Sequence, residues 1–368
     1  MSKVKWVRLG DYISPRNERN SDFRYGVELI EGVNSDGEFQ PTKAITDGID
    51  LKPYKAVWPG DIVYNPSRLN IGSLAYRENG MCIVSHLYQV FHVKEEFKNE
   101  LLPEFLLLWF KRDEFSRIVD YYNYGSQRAE FNLKKLGELM IPLPSLSEQQ
   151  KVVNVWKAFR EIKEQNEAKA APLMQLCQSY IQELKHKYPA QETGPHLQFF
   201  REKNKDKEIS LEQGINISKE FITPQRSNSD LSSRIKVRTG QFAYCTQLNN
   251  ENVAIAYRTG PDCVVSPVYE VFEIKKESRE QLLPEYLFIW LSRPEFGRYV
   301  YWSSVGSAYE FLRFDNLYAY KIAFPPLDVQ RAIVNIYKCA NEAKLIAAEA
   351  DRLSREVCPA LIQHVIHN

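Results

Sequence analysis

Two hydrophobic patterns alternate along the chain, and the first is typical of short β-strands. In residues 1–144, and again in 190–325, brief runs of alternating apolar and polar positions are separated by Gly, Asn or Pro. Examples are GDIVYN, GSLAYR and CIVSHLYQVFHV, with later partners QFAYC, VAIAYR and CVVSPVYEVFEI. Because β-branched and aromatic residues favour strands while Gly, Asn and Pro favour turns, both stretches are predicted to be β-rich.

The second pattern is a long helical repeat that follows each β-rich stretch. Apolar residues recur every three or four positions, which predicts one packed face per helix. In the first helix this face comprises Val152, Val155, Phe159, Ile162, Leu173 and Leu176. In the second it comprises Ile333, Ile336, Ala340, Ala343, Val357 and Leu361. A seam of large side chains fits a seam of small ones better than it fits itself, so we expect the helices to pair antiparallel within one chain.

The first helix also carries a start signal and a break signal. Ser147 followed three residues later by Gln150 predicts a capping box at the N-terminus of the helix. Pro172 predicts a kink, because proline removes a backbone donor and crowds the preceding turn.

The whole arrangement occurs twice. LLPEFLLLWFKRDEFSR at 101–117 returns as LLPEYLFIWLSRPEFGR at 282–298, and the AYR of 75–77 returns at 256–258 with the same offset. We therefore predict an α+β chain of two tandem β-rich domains, each followed by a long helix, with the two helices forming an antiparallel coiled coil. The predicted segments are a first domain at 1–146, a helix at 147–187, a linker and second domain at 188–326, and a helix at 327–368.

Composition narrows the function classes. The 368 residues contain 48 Lys and Arg against 47 Asp and Glu, so any nucleic-acid affinity must come from local patches or from partners that share the phosphate contacts. The six cysteines form no CxxC pair, which argues against disulfide and thiolate-zinc frameworks. With no signal-peptide core at the first residues and no apolar run long enough for a membrane span, we expect a cytoplasmic protein.

Motifs for catalysis are missing from the sequence. It contains no GxGxxG after a strand, no GxxxxGK[ST] and no HExxH. His364 and His367 lie close together near the end of the chain, but two histidines without a third ligand do not make a typical metal site. We therefore expect a non-catalytic chain with no metal and no cofactor of its own.

Two segments carry a family resemblance. GSQRAEFNLKKLGELMIPLPSLSEQQKVV at 125–153 and GDIVYNPSRLNIGSLAYR at 60–77, together with the repeated layout, resemble the specificity subunit of type I restriction-modification systems. The second copy departs from the pattern at three positions, where Tyr309 replaces Arg128, Ala323 replaces Pro142 and Val329 replaces Glu148.

The resemblance implies a role in a larger complex. Each β-rich domain would be a target recognition domain that reads one half of a bipartite, asymmetric sequence in double-stranded DNA. The helix pair would set the gap between the halves and dock two modification subunits, which bind S-adenosylmethionine and methylate adenine. Restriction subunits would add translocation and cleavage driven by ATP and Mg²⁺. The chain itself would be the non-enzymatic specificity subunit.

The candidate DNA contacts are polar side chains on loops, because base edges are read by Arg, Asn, Gln, Ser and Thr. In the first domain they are Asn65, Ser67, Arg68 and Asn70 after the GDIVY strand, Ser126, Gln127 and Arg128 at the boundary, and Arg16. In the second they are Thr246, Gln247, Asn249, Ser307, Tyr309 and Arg226. The loops after the two corresponding strands differ between the copies, as two domains with different targets require.

Three other functions stay open at this point. The chain could be a two-module interaction scaffold that binds proteins and no DNA, or part of a fused restriction-modification enzyme. It could also be the specificity subunit of a related split-site restriction system with different cleavage machinery. Binding of DNA in the presence of modification partners separates the first of these from the family's function.

Overall fold

The computed structural model describes residues 4–42, 48–123, 130–224, 230–248, 250–304 and 311–367. The chain divides into two compact units. Unit 1 comprises residues 1–165 and 346–368, and unit 2 comprises residues 166–345.

Both units combine short strands with helices. The strands of unit 1 are β1 (Lys5–Arg8), β2 (Ile13–Pro15), β3 (Glu31–Val33), β4 (Phe39–Pro41), β5 (Lys55–Val57), β6 (Asp61–Tyr64), β7 (Leu74–Tyr76), β8 (Cys82–Val84), β9 (Gln89–Val93) and β10 (Met140–Leu143). Those of unit 2 are β11 (Ala190–Glu192), β12 (Leu197–Phe200), β13 (Gly214–Ile215), β14 (Phe221–Ile222), β15 (Ile235–Val237), β16 (Phe242–Cys245), β17 (Ile255–Tyr257), β18 (Cys263–Val265), β19 (Tyr269–Ile274) and β20 (Lys321–Ala323).

The helices range from a single turn to more than forty residues. They are α1 (Leu9–Tyr12), α2 (Pro103–Phe110), α3 (Asp113–Asn123), α4 (Leu133–Gly137), α5 (Leu146–Lys187), α6 (Pro284–Ser292), α7 (Pro294–Ser304), α8 (Phe314–Ala319) and α9 (Leu327–His367). Among the described residues no helix is both long and apolar enough to cross a membrane.

The two units repeat one strand order. Unit 1 has a four-stranded antiparallel sheet in the order β2-β9-β6-β7, and unit 2 has the order β12-β19-β16-β17. The pairs β1-β10, β3-β4 and β5-β8 correspond to β11-β20, β13-β14 and β15-β18. The central registers also correspond, because Ile62 lies opposite Phe91 in unit 1 and Phe242 lies opposite Phe272 in unit 2. The predicted fold class is confirmed.

Strand β6 is buried on both faces, which explains its continuous apolar run. Ile62 and Tyr64 join the main core of unit 1 with Trp109 of α2, whereas Val63 joins a smaller cluster that includes Cys82. Successive side chains of a strand point to opposite faces, so this sheet is covered on both sides. In unit 2 Phe242 and Tyr244 occupy the main core, and Ala243 the smaller cluster.

The long helices pair within each unit, and in unit 1 they run antiparallel. Val152 and Trp156 near the start of α5 share the core with Ile362 near the end of α9. Further along α5, Lys163 Nζ donates a hydrogen bond of 3.1 Å to Asp351 Oδ1. In unit 2 the order is the same: Cys177, Ile181 and Leu184 from the end of α5 share a core with Ile333 and Val334 from the start of α9.

The packed face of α5 differs from the predicted seam at two of its positions. Ile162 and Leu176 are 41% and 44% exposed, so the prediction that they lie in the seam was wrong. The buried residues of α5 include Trp156, Ala170 and Cys177, which were not in the predicted seam. Val152 is buried, Val155, Phe159 and Leu173 are half-buried, and on α9 the buried or half-buried residues are Ile333, Ile336, Ala340, Ala343, Val357 and Leu361.

The capping box of α5 lies two residues before its predicted place. Ser145 Oγ donates to Glu148 Oε2 at 3.0 Å, and the Glu148 backbone N–H donates to Ser145 Oγ at 3.4 Å. The helix therefore begins at Leu146, and the prediction of Ser147 and Gln150 was wrong. Pro172 lies inside α5, which continues on both sides of it. The division of the chain into four segments stays a prediction.

Candidate nucleic-acid interface

Loop 1 (residues 65–73) joins β6 to β7 and is a closely hydrogen-bonded turn. The Asn65 side chain accepts the Ser67 N–H at 3.0 Å, and the Asn65 carbonyl accepts the Arg68 N–H at 3.0 Å. The Arg68 carbonyl then accepts the Ser73 N–H at 3.1 Å. Leu69 is buried in the core and anchors the loop from below. Side chains on this loop are thus presented from a fixed backbone.

Some polar side chains of loop 1 are exposed and available to a ligand, and others already form hydrogen bonds within the fold. Ser67 and Arg68 are exposed, and within the described part of the chain the Arg68 guanidinium has no hydrogen bond or ion pair. Asn70 Nδ2 donates to Asp120 Oδ1 of α3 at 2.9 Å, and Asn65 closes the turn. The structure therefore leaves Ser67 and Arg68 as the outward-facing groups of this loop.

Loop 2 (residues 246–254, of which 249 lies outside the described residues) joins β16 to β17 in unit 2. Thr246 Oγ1 donates to the Val268 carbonyl at 3.0 Å, and the Thr246 carbonyl accepts the Leu312 N–H at 2.8 Å. The Thr246 hydroxyl therefore already donates its hydrogen to a backbone carbonyl of the fold. Gln247 is exposed, and its backbone bridges to Phe311. Loop 2 has no arginine, so the outward-facing chemistry of the two loops differs.

A buried tyrosine lies at or next to the end of the strand before each loop. Tyr64 is the last residue of β6, Tyr244 is the last but one of β16, and neither side chain is exposed. Burial raises the pKa of both phenols, so each hydroxyl stays neutral at physiological pH. These buried tyrosines are common to both units, whereas the residues of the loops that come after them differ between loop 1 and loop 2.

Arg16 is held by a buried carboxylate. Arg16 Nε lies 2.6 Å from Asp61 Oδ2, and the same oxygen accepts the Trp58 N–H at 2.8 Å. Burial, and secondly the charge of Arg16, lower the pKa of His92, which lies 3.9 Å from Asp61. Arg16 is thus the cation that compensates Asp61, and its side chain is half-buried. Its role in DNA binding stays a prediction.

Half of the predicted DNA contacts have no structural description. Ser126, Gln127, Arg128, Arg226, Asn249, Ser307 and Tyr309 lie outside the described residues. They stay predictions, as do the contacts of loops 1 and 2.

Two exposed aromatic side chains on the helices next to these loops were not among the predicted contacts. Tyr121 on α3 and Trp302 on α7 are the most exposed large hydrophobic residues in the described part of the chain. They occupy the same place in the two repeats. A comparison of the copies for aromatic residues at polar helix positions could have found them.

In unit 2 a glycine brings α7 against loop 2. A Cβ placed on Gly297 would lie 2.1 Å from the carbonyl oxygen of Glu251, which is far inside van der Waals contact. The corresponding residue of α3 in unit 1 is Ser116. The close approach therefore belongs to unit 2 and fixes the position of loop 2 on α7.

Replacing Gly297 with serine is expected to lower the free energy of unfolding by about 1–3 kcal/mol, because the new Cβ forces the helix and loop 2 apart. Serine has the higher helix propensity, so helix formation alone would change stability in the opposite direction. Urea unfolding measures the effect. The matched control, Ser116→Gly in unit 1, should cost about 1 kcal/mol or less. A Gly297→Ser variant as stable as the wild type would contradict the close packing.

No cluster suited to a metal ion was found in the described ranges, taking groups of three or more His, Cys, Asp or Glu side chains. Apart from the exposed Glu251 of loop 2, the two loops present neutral polar groups and one arginine. Such groups can form hydrogen bonds with base edges and phosphates.

The chain was also compared with protein families, curated sequences and solved structures. Residues 17–171 match the family model described as type I restriction modification DNA specificity domain. No curated protein sequence matches the chain.

Several solved structures are similar along nearly the whole chain. The S subunit of a type I restriction-modification system from M. genitalium is 13% identical, covers 99% of this chain and 97% of its own, and superposes with a TM-score of 0.62. The HsdS subunit from Thermoanaerobacter tengcongensis is 16% identical with the same coverages and a TM-score of 0.41. The first of these shows a shared fold. Together with the match of residues 17–171 to the family model, it confirms the resemblance to type I restriction-modification specificity subunits seen in the sequence.

Proposed function

We propose that the chain is the specificity subunit of a type I restriction-modification complex and that each unit reads one half of a bipartite, asymmetric DNA target. The observation that carries this proposal is the contrast between loops 1 and 2. Loop 1 leaves β6 and loop 2 leaves β16, which hold the same position in the two corresponding sheets, yet loop 1 exposes Ser67 and Arg68 whereas loop 2 exposes Gln247, Asn250, Glu251 and Asn252. A common framework with different exposed polar groups suits two readers of different sequences.

The even charge balance of the chain supports shared phosphate contacts. With 48 basic and 47 acidic residues, the chain has little net attraction for DNA. Affinity for a polyanion grows with the number of phosphates that basic side chains neutralise. In this proposal two modification subunits supply most of these contacts, and the loops supply sequence selection.

The paired helices give the proposal its second part. α5 and α9 each contribute to both units. Residues 146–165 and 346–367 pack in unit 1, and 166–187 and 327–345 in unit 2. A rigid helix of fixed length between two DNA-binding domains fixes the distance between the two half-sites that they bind. We infer that the pair sets the unread gap and docks the modification subunits.

The chemistry belongs to the partners in this proposal. Adenine methylation requires the base to leave the helix stack and enter a pocket with S-adenosylmethionine, and this pocket would lie in a modification subunit. Restriction subunits would bring ATP, Mg²⁺ and cleavage. The chain then acts as a non-catalytic subunit that places those activities on DNA.

A genome-wide map of N6-methyladenine, with and without the gene, tests the function. We expect deletion to remove methylation from one bipartite motif, and this motif gives both half-sites and the gap. If the map is unchanged although modification subunits co-purify with the chain and are active, the proposed function is wrong. Binding of those subunits without any DNA binding by the assembly would favour a protein-interaction scaffold.

A further inference from the structure

The two most exposed large hydrophobic side chains of the described residues occupy one repeated position. Tyr121 is 79% exposed and Trp302 is 76% exposed. They fall at the same place in the helices α3 and α7, with the offset that relates the two copies. A single exposed aromatic residue needs no explanation. Exposure of an aromatic residue at the same place in both copies points to a shared contact.

An arginine precedes each aromatic residue by one helical turn. Arg117 lies four positions before Tyr121, and Arg298 four before Trp302, so each pair shares one helix face. Both arginines are exposed. Within the described ranges Arg117 has no hydrogen bond or ion pair, and Arg298 Nη2 lies 3.8 Å from Glu295 Oε1. That carboxylate already binds Arg293 at 2.9 Å.

In unit 1 the end of α3 is joined to loop 1 at two points. Asp120, next to Tyr121, accepts the hydrogen bond from Asn70. The ring of Tyr122 lies 5.9 Å from the ring of Phe131. The backbone N–H of Phe131 in turn donates a hydrogen bond of 3.0 Å to the carbonyl of Pro66 in loop 1. Loop 1 and the exposed end of α3 are thus neighbouring parts of one surface.

In unit 2 the close approach of Gly297 to Glu251 places α7 against loop 2. Arg298 follows Gly297 directly, and Trp302 lies on the following turn of the same helix. The exposed pair and the loop again belong to neighbouring elements.

An exposed arginine beside an exposed ring has the chemistry of a DNA backbone contact. A guanidinium binds phosphate oxygens through charge-assisted hydrogen bonds. An apolar or aromatic side chain packs against sugars and base edges in a groove and tolerates any sequence. Glu114 lies three positions before Arg117 and interacts with its charge, so the pair suits one phosphate and not a long stretch of backbone.

We propose that the Arg117–Tyr121 and Arg298–Trp302 pairs contact duplex DNA beside loops 1 and 2. The guanidinium holds one phosphate, and the ring packs against the adjacent sugar and base edge. This inference rests on the proposed function and adds to it a positioning contact, common to both units, that is independent of sequence.

Binding of mixed-sequence duplex DNA by the full chain, in complex with its modification subunits, tests the pairs. Tyr121→Ala and Trp302→Ala should each weaken binding roughly tenfold, as expected for loss of an aromatic contact. Arg117→Ala and Arg298→Ala should weaken binding and reduce the slope of log affinity against log salt by about one each. Tyr121→Phe keeps the ring and should bind like the wild type. Trp6→Ala, at an exposed position on β1, is the matched control and should also be unchanged.

Tryptophan fluorescence reports the contact directly. Trp302 and Trp6 are the exposed tryptophans in the described part of the chain, and the contact predicts that DNA quenches Trp302 and protects it from acrylamide. The signal should disappear in Trp302→Phe and persist in Trp6→Phe.

The outcomes separate the two proposals. A wild-type assembly that binds no duplex DNA would overturn the proposed function. Normal DNA binding by the wild type and by all four alanine variants would overturn this inference alone. Unchanged DNA affinity combined with loss of a modification subunit would assign the aromatic pair to a protein contact and also overturn it.

Discussion

Replacing Gln149 with glutamate is expected to lower the free energy of unfolding by about 3–5 kcal/mol. Gln149 is completely buried at the start of α5. Its Oε1 accepts the Leu102 N–H at 2.9 Å, and its Nε2 donates to the carbonyls of Glu100 at 2.7 Å and Pro144 at 2.9 Å. One side chain thus fastens the long helix to the segment before α2. A carboxylate would face two carbonyl oxygens without a donor.

The pH dependence of the variant has a definite sign. Burial favours the neutral form of the introduced carboxyl and raises its folded-state pKa above its unfolded-state pKa. The variant is therefore least destabilised below the unfolded-state pKa, and the loss grows as the pH rises through the folded-state pKa. Urea unfolding of the variant and the wild type at mildly acidic and at neutral pH measures this difference.

The chain offers two comparisons for Gln149. Gln150 is exposed, and Gln150→Glu should change the free energy of unfolding by no more than about 0.5 kcal/mol. Gln330 repeats the arrangement in unit 2, where it accepts from Leu283 and donates to Gln281 and Pro325. Gln330→Glu should therefore be as damaging as Gln149→Glu. Equal stability of the Gln149→Glu and Gln150→Glu variants would contradict the buried-clamp interpretation.

The architecture could be predicted from the sequence because the same pattern of strands followed by a long helix occurs in both copies of the repeat. Each copy repeats the alternating runs of the sheet and the apolar stepping of the long helix, so errors in one copy are corrected by the other. The detailed seam of α5 could not be predicted in the same way. Apolar residues that step by three and four occur in two adjacent rows of the helix, and the row chosen included Ile162 and Leu176. The structure instead buries Ala170 and Cys177 and uses Lys163 to bind Asp351.

The candidate site shows a different limit. Polar residue type identifies groups that can bind DNA, but it does not show which of them already have partners inside the fold. Asn70 binds Asp120, Thr246 binds the Val268 carbonyl and Arg16 compensates Asp61, and each partner is distant in sequence. Exposed aromatic residues are missed for the opposite reason, because a tyrosine on an amphipathic helix is usually assigned to the core.

Replacing Arg68 with alanine is expected to relax base selection in one half-site and leave the other half-site unchanged. Arg68 is exposed on a hydrogen-bonded loop, and an arginine that binds a base edge with two hydrogen bonds contributes roughly 1–3 kcal/mol of discrimination against the wrong base. Methylation mapping of cells that carry the variant shows which target positions become degenerate. Gln247→Ala should relax a position in the opposite half-site, which makes it the matched variant for unit 2.

Arg68→Lys separates base reading from phosphate binding at the same position. Lysine keeps the charge but cannot present the planar pair of donors that matches a guanine edge. If Arg68 reads a base, the lysine variant keeps part of the affinity and loses the selection. If it holds a phosphate, lysine restores both, and the base-reading role of loop 1 is wrong. Degeneracy in both half-sites from Arg68→Ala alone would contradict independent reading by the two units, since loops 1 and 2 belong to separate sheets.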